Sequence, residues 1–375
     1  MYVGLKKLGI LLGGLAVAGV LGAVLFAWSG LYNVAATRGH WAVTDWFLHF
    51  AMRNSVKTQS MSVPSPPPLD DVAMIRLGLG HYQGGCAPCH GAPGFDGSPI
   101  TGEMLPAPPW LPATIPAWTD EQLFWIVKHG IKYAGMPGWV AQSRDDEVWT
   151  VVAAIRSLPD MTREEYRRLA MGEAGGITGR GSAGEGLTVC ARCHGDDGAA
   201  NGHVPRLAGQ KREYLEHALR SYATAERSSG IMGPVAAELS DREIADLAAF
   251  YADISDVPFP EEAAAEADPE PDLLTLGERV AVRGVPDGDV PACAGCHGVD
   301  GLAAGKDPRF PAIAGQSRHY LELQLRLWRD GAHEPGPVGQ LMASASKELT
   351  DEHIRALALY YSIPPKPQST AAAAE

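Results

Sequence analysis

The chain has 375 residues, is 46% apolar and carries a formal charge of −13. A length of this order suits about two to four domains with real cores. The acidic balance argues against nucleic acid, whose phosphates need a basic face, and favours a basic or neutral protein partner.

The first element is apolar. After Lys6 and Lys7 comes LGILLGGLAVAGVLGAVLFAW, Leu8 to Trp28, with no charge. About 20 such residues span a bilayer as a helix, so residues 1–30 are expected to be a transmembrane anchor. A cleavable signal peptide usually has a shorter apolar core, although Val34-Ala35-Ala36 offers a small-residue cleavage site. The two lysines predict an inside N-terminus, blurred by Arg38, Arg53 and Lys57 on the far side. Residues 31–71 read as a juxtamembrane segment and linker. Within them, HWAVTDWFLHFAMRNSVK mixes aromatic and polar residues at helical spacing. It suits the outer membrane interface, a partner's helices or the first folded unit alike. SMSVPSPPPLDD, 60–71, reads as a semi-rigid spacer.

Next come the cysteines, and none is spare. Cys86 and Cys89, Cys190 and Cys193, and Cys293 and Cys296 each form C-x-x-C, followed at once by His90, His194 and His297. A zinc ribbon would need two such knuckles a short interval apart, yet these pairs lie about a hundred residues apart. A thioredoxin-like redox pair needs one C-x-x-C and no adjacent histidine. Disulfides between such near neighbours are strained. The remaining reading is covalent attachment of a c-type haem, two thiols bonding the porphyrin and the histidine offering its imidazole to the iron. Three copies predict three haem c groups.

An iron with histidine below needs a ligand above, and methionine suits a high-potential electron-transfer site. Met136 lies in a Gly-Pro loop after His90, Met232 follows His194 and Met342 follows His297. Met232 and Met342 share a register, each seven residues before a Leu-Ser or Leu-Thr that opens a helix with acidic residues in its first turn. The bland alternative is core filler. His129 and His333 are rival ligands, and Met104 is a further rival in the first unit.

The copies extend beyond these motifs as an internal repeat of about a hundred residues. VPRLAGQ in the second unit aligns with FPAIAGQ in the third, placing Pro205 opposite Pro311 and Tyr214 opposite Tyr320. ELSDREIADLAAFYADI then matches ELTDEHIRALALYYSI, with Ser240 and Thr350 as N-caps. The first unit lacks the A-G-Q element but keeps a Trp-rich helix, a methionine loop and a closing helix. MGEAGGITGRGSAGEG and FPEEAAAEADPEPD read as linkers, and residues 365–375 as a disordered tail.

Residues 180–364 resemble the two-haem cytochrome c4 family, through C-x-x-C-H-G-x-D-G, P-x-[LI]-A-G-Q-x-x-x-Y-L, the methionine loop and L-[ST]-D. Residues 72–165 resemble single-haem, membrane-associated cytochromes c through LFWIVKHGIKYAGMPGW. The resemblance implies an all-α fold: one N-terminal transmembrane helix followed by three class I cytochrome c domains, 72–165, 180–257 and 272–364. It further implies that Pro205 and Pro311 give their carbonyls to the other ring nitrogen of the proximal histidine. In the first unit Pro106, Pro108, Pro109 and Pro112 all stand for that role. Six-coordinate haems pass electrons and leave no place for a small-molecule substrate, and no nucleotide motif or nucleophile offers another activity. The expectation is therefore an electron-transfer protein and not an enzyme. It would sit in the bacterial inner membrane by a single pass, its haem domains in the periplasm, delivering electrons to a terminal haem-copper oxidase. The alternative is the cytochrome subunit of a membrane-bound dehydrogenase acting on an alcohol, aldehyde or sugar, or of a quinol-linked complex.

Overall fold

A computed structural model describes residues 2–172, 184–199, 202–255, 257–259, 271–333, 336 and 338–364. Most of the two interdomain linkers and the 365–375 tail lie outside these residues. Among the described residues regular structure is helical, and there is no strand.

Helix α1, Tyr2–Ser29, stands away from the rest, with residues Gly4–Ser29 at a mean hydropathy of 2.5 and none buried. At 1.5 Å per residue it is about 42 Å long, enough to cross a bilayer by length and composition. Helix α2, Ala42–Gln59, follows a compact corner where the Tyr32 hydroxyl and His40 Nδ1 share a hydrogen bond at 2.6 Å and Trp41 meets Tyr32 edge-on. Only its far end enters the folded body, where Val56 is buried and the Arg53 guanidinium lies 5.0 Å over the Trp118 ring.

The first unit is built on α3, Val72–Gly85, whose N-cap Asp71 accepts from Ala73 N at 2.8 Å. It runs straight into the first cysteine turn, α4, Ala87–His90. Helix α5, Asp120–His129, starts at a Thr119–Gln122 capping box, and α6, Asp145–Ser157, is buried continuously from Glu147 to Ile155. Helix α7, Arg163–Met171, lays Tyr166 and Ala170 against α3, so the packed first unit reaches Met171.

The second unit comprises α8, Gly184–His194, α9, Arg212–Ala223, α10, Met232–Ala237, and α11, Asp241–Ala252, around Leu187, Leu215, Leu247 and Tyr251. The third comprises α12, Pro271–Arg283, α13, Ala294–His297, α14, Arg318–Arg329, α15, Gly339–Ser346, and α16, Asp351–Ser362. Ser240 and Thr350 cap α11 and α16 through their side chains.

In the first and third units the opening helix crosses the closing helix at a glycine. A Cβ on Gly78 would stand 2.2 Å from Thr150 O, and one on Gly277 2.2 Å from Ala356 O. The contact is backbone on backbone, so neither side can yield. Gly277→Ala gains about 1 kcal/mol of helix propensity, but overpacking costs about 1–3 kcal/mol or more. A lower melting temperature of the third unit is expected, and an unchanged one would mean that the helices cross less closely than this.

The three units touch. Asp71 of α3 accepts from His203 Nε2 of the second unit at 2.8 Å. Between the second and third, Val257–Phe259 forms a strap. Arg206 donates to the Val257 and Pro258 carbonyls at 2.6 and 3.1 Å and lies over the Phe259 ring, which covers Gly315.

Candidate haem-binding sites

Each cysteine motif is one turn of helix. His90 N and His297 N bond the carbonyls of Cys86 and Cys293 at 2.9 Å, placing the two sulfurs and the imidazole of a motif on consecutive positions of one turn. The glycine after each histidine ends the turn in the left-handed region, with φ of 66°, 79° and 77° at Gly91, Gly195 and Gly298. A side chain there would be strained, which explains the invariant sixth letter of CAPCHG, CARCHG and CAGCHG.

No cysteine is in a disulfide. Burial pushes the thiol of Cys86 up to about 12, and those of Cys190 and Cys293 to about 11. A dithiol redox centre needs the opposite, a thiolate stabilised near neutral pH. These cysteines suit covalent attachment and not disulfide exchange.

The histidines of the three motifs share one geometry. Nδ1 lies 3.0 Å from Pro109 O in His90, 3.2 Å from Pro205 O in His194 and 3.1 Å from Pro311 O in His297. A carbonyl only accepts, so Nδ1 carries the proton and Nε2 keeps its lone pair. Burial lowers His194 and His297 against the opposing pull of those carbonyls, which keeps both rings neutral and able to ligate. Of the four prolines open in the first unit, it is Pro109 that meets His90.

The space above the second and third of these rings fits a porphyrin. One cavity of about 1150 Å³ is lined by Cys190, Cys193, His194 and Met232 on one side and by Cys293, Cys296, His297 and Met342 on the other. Arg227 Nε and the Tyr361 hydroxyl, both from cavity-lining residues, are buried without a hydrogen-bond partner among the described residues. A largely apolar chamber edged by a cation and a phenol suits a flat apolar ring that carries carboxylates at its rim. Haem c, when bound, supplies a one-electron iron couple tuned by its axial ligands.

Residues 73–153 and 186–250 match the family model of cytochrome c oxidase, cbb3-type, subunit III, and residues 290–361 match that of cytochrome c. The chain is 36% identical over 193 residues to a thiosulfate dehydrogenase electron acceptor of Stutzerimonas stutzeri, covering 48% of this chain and 82% of that protein. It is 36% identical over 173 residues to the cytochrome c4 of Thiocapsa roseopersicina, covering 46% of this chain and 85% of that one. The chain belongs to the cytochrome c4 family. A solved cytochrome c4 of Acidithiobacillus ferrooxidans is 30% identical, with a TM-score of 0.40, and covers 46% of this chain and 97% of that one. The c4 likeness accounts for about half of the chain, and its work is electron transfer by c-type haem.

The second and third units are joined by a reciprocal clamp. Gln210 donates to Ala312 O at 2.8 Å and accepts from Ala312 N at 2.9 Å. Gln316 does the same to Arg206, at 2.8 and 2.9 Å. Each glutamine thus grips the residue directly after the proline that meets the motif histidine of the other unit. The A-G-Q motif was visible in the sequence, but this pairing was not. Beside it the buried Arg227 donates to Tyr214, Tyr320 and Gln324 and ties the helices of both units.

The distal candidates are placed as follows. Met232 opens α10 and Met342 sits inside α15, and both line the shared cavity with their histidines. Met136 lies on a loop pinned by the Ile131–Met136 bridge, and the methyl of Met104 closes on the neighbouring Gly135. His129 is exposed. His333 is buried edge-on against Trp328 and does not line the cavity that Met342 lines.

His81 of α3 packs edge-on against Trp139 at the same cavity. Burial pushes it down to about 4. The unfolded imidazole titrates near 6.5, so between those values the unfolded chain binds more protons, and stability falls as pH drops through that window. His81→Phe keeps the packing and should flatten that slope. Melting followed across this range tests it, and equal slopes in both proteins would clear His81 of the effect.

Proposed function

We propose that the chain is a membrane-anchored, periplasmic relay of three haems c that feeds a terminal haem-copper oxidase. Each haem would be held by its cysteine pair, with axial pairs His90 and Met136, His194 and Met232, and His297 and Met342. The observation that carries the three-haem reading is the threefold recurrence of one geometry, a C-x-x-C-H turn whose histidine Nδ1 faces a proline carbonyl at 3.0–3.2 Å. The likeness of residues 73–153 and 186–250 to a cbb3-type oxidase subunit supports the oxidase as acceptor. The exposed apolar α1 supports an anchor, and covalent haem attachment supports the periplasmic side.

A second reading has its own support. The Stutzerimonas relative is an electron acceptor of thiosulfate dehydrogenase, which favours a periplasmic dehydrogenase as donor. In that reading the chain is the cytochrome partner of such an enzyme, and alcohol, aldehyde and sugar oxidation give way to sulfur-compound oxidation as the leading class. Gentle detergent extraction from native membranes, with identification of what co-purifies with the haem-stained band, separates the two. An oxidase supports the delivery reading. A dehydrogenase without oxidase overturns it in favour of the second.

A further inference from the structure

The first unit is additional to the c4-like pair, and one of its contacts with that pair is a buried carboxylate. Glu147 of α6 is 4% exposed and Arg144 is 6% exposed. Arg144 Nη1 lies 3.0 Å from Glu147 Oε1, and its other nitrogens hold Asp146. The Glu147 carboxylate, however, faces the second unit. It accepts from Ser229 Oγ at 2.5 Å, from Gly230 N at 2.6 Å and from Trp139 Nε1 at 3.2 Å.

That turn leads directly into Met232. Ser229 Oγ, donating a hydrogen bond to Glu147, is oriented to accept from Ile231 N at 3.2 Å and from Met232 N at 2.9 Å. Arg144 Nη1 also donates to Ser228 O at 2.8 Å. Trp139 closes the contact from the first unit's own methionine loop, three residues after Met136. Its indole lies so close to Gly230 that a Cβ there would stand 2.3 Å from the ring. The methionine segments of the first two units are thus packed against each other, with a carboxylate between them.

We propose that Glu147 is a positioning residue for the second haem site: by ordering the Ser229–Gly230 turn across the unit boundary, it fixes where Met232 is presented. The inference rests on the reading of Met232 as the distal ligand. Three features favour positioning over simple adhesion. The carboxylate receives three neutral donors besides its arginine, more than an interface ion pair needs. One of those donors is the hydroxyl that caps the Met232 backbone. The carboxylate also stands on the most buried helix of the first unit, so it cannot drift with the loop it holds. Without it, the turn's amide and hydroxyl would lose their acceptor in a dry interface, and the methionine would be held by its own loop alone.

The test uses the full holoprotein in detergent with Glu147→Gln, Ser229→Ala and Met232→Ala, and with Ser143→Ala as a control at the same junction, where the Ser143 hydroxyl lies 3.3 Å from Ser228 Oγ and donates to Ala332 O at 3.1 Å. The readouts are the weak red absorption band of ferric His–Met haem and imidazole binding, resolved by haem. Glu147→Gln keeps shape but has one acceptor oxygen instead of two. It is expected to weaken one of three band contributions and to tighten imidazole binding at that haem roughly tenfold, with haem content unchanged. Ser229→Ala should act at the same haem in the same direction, and Ser143→Ala should leave the band intact. Met232→Ala must abolish the contribution at that haem. If it does not, the ligand reading itself falls. If Met232→Ala abolishes it while Glu147→Gln and Ser229→Ala leave band and imidazole affinity as in the parent, the ligand stands and the positioning role is overturned. Should Glu147→Gln lose haem altogether, the milder Ser229→Ala decides by the same readouts.

Discussion

Replacing Cys293 and Cys296 together by serine is expected to remove one covalently bound haem and to collapse the third unit. The denatured chain should weigh less by one haem, and its haem stain should fall by a third. The structural effect is large because the chamber beside these residues, shared with the second unit, encloses about 1150 Å³. Side chains such as Leu321, Leu357 and Tyr361 face it and cannot fill it. Unfilled apolar volume on this scale costs at least ~5 kcal/mol, which is on the order of the whole stability of a small domain. Because the chamber is shared, the second unit should loosen too, seen as broadened haem absorption and an earlier melting transition. The same double substitution at Cys86 and Cys89 should remove a haem and leave that shared chamber filled. A chain with two haems before any substitution would refute the threefold assignment outright.

Gln210→Ala with Gln316→Ala is the second large effect. Both glutamines are 6% exposed, and each satisfies both backbone groups of one residue in the opposite unit. Alanine leaves an amide and a carbonyl without partners, at about 1–3 kcal/mol per site, so the double variant should lose roughly 2–5 kcal/mol with some coupling. Chemical denaturation should then resolve two transitions, where the second and third units of the parent are expected to melt together. Haem potentials of both units should shift as well, because the freed peptides adjoin Pro205 and Pro311, whose carbonyls orient His194 and His297. A single transition at the parent midpoint would show that the strap and the Arg227 network suffice to hold the pair.

What could be read from the sequence was whatever is local. C-x-x-C-H fits within one helical turn, and Ser240 and Thr350 announce their helices because an N-cap acts over three residues. Leu8 to Trp28 declares itself by composition. The partner of His90 was not legible among four nearby prolines, since the choice depends on the path of a long loop and not on residue type. Glu147 looked like one of three acids opening α6, and the sequence held no sign that it crosses to Ser229, 82 residues on. Gln210 and Gln316 were visible as repeated letters. Their meaning lay in a contact about a hundred residues away, which only the folded pair brings together. Charged or amide side chains that recognise main chain leave no complementary residue to find.

The glutamine clamp has a consequence for how such a pair can change over generations. Each glutamine grips only peptide N–H and C=O, so the residue it holds is free in identity: Arg206 in one unit, Ala312 in the other. The joint between the two halves therefore places no demand on the side chains at its centre. One position carries a cation that strings the Val257–Phe259 strap across the seam, while its counterpart is small. A duplicated carrier built this way can let its two halves drift apart in surface chemistry, one toward a donor and one toward an acceptor, without ever coming unfastened.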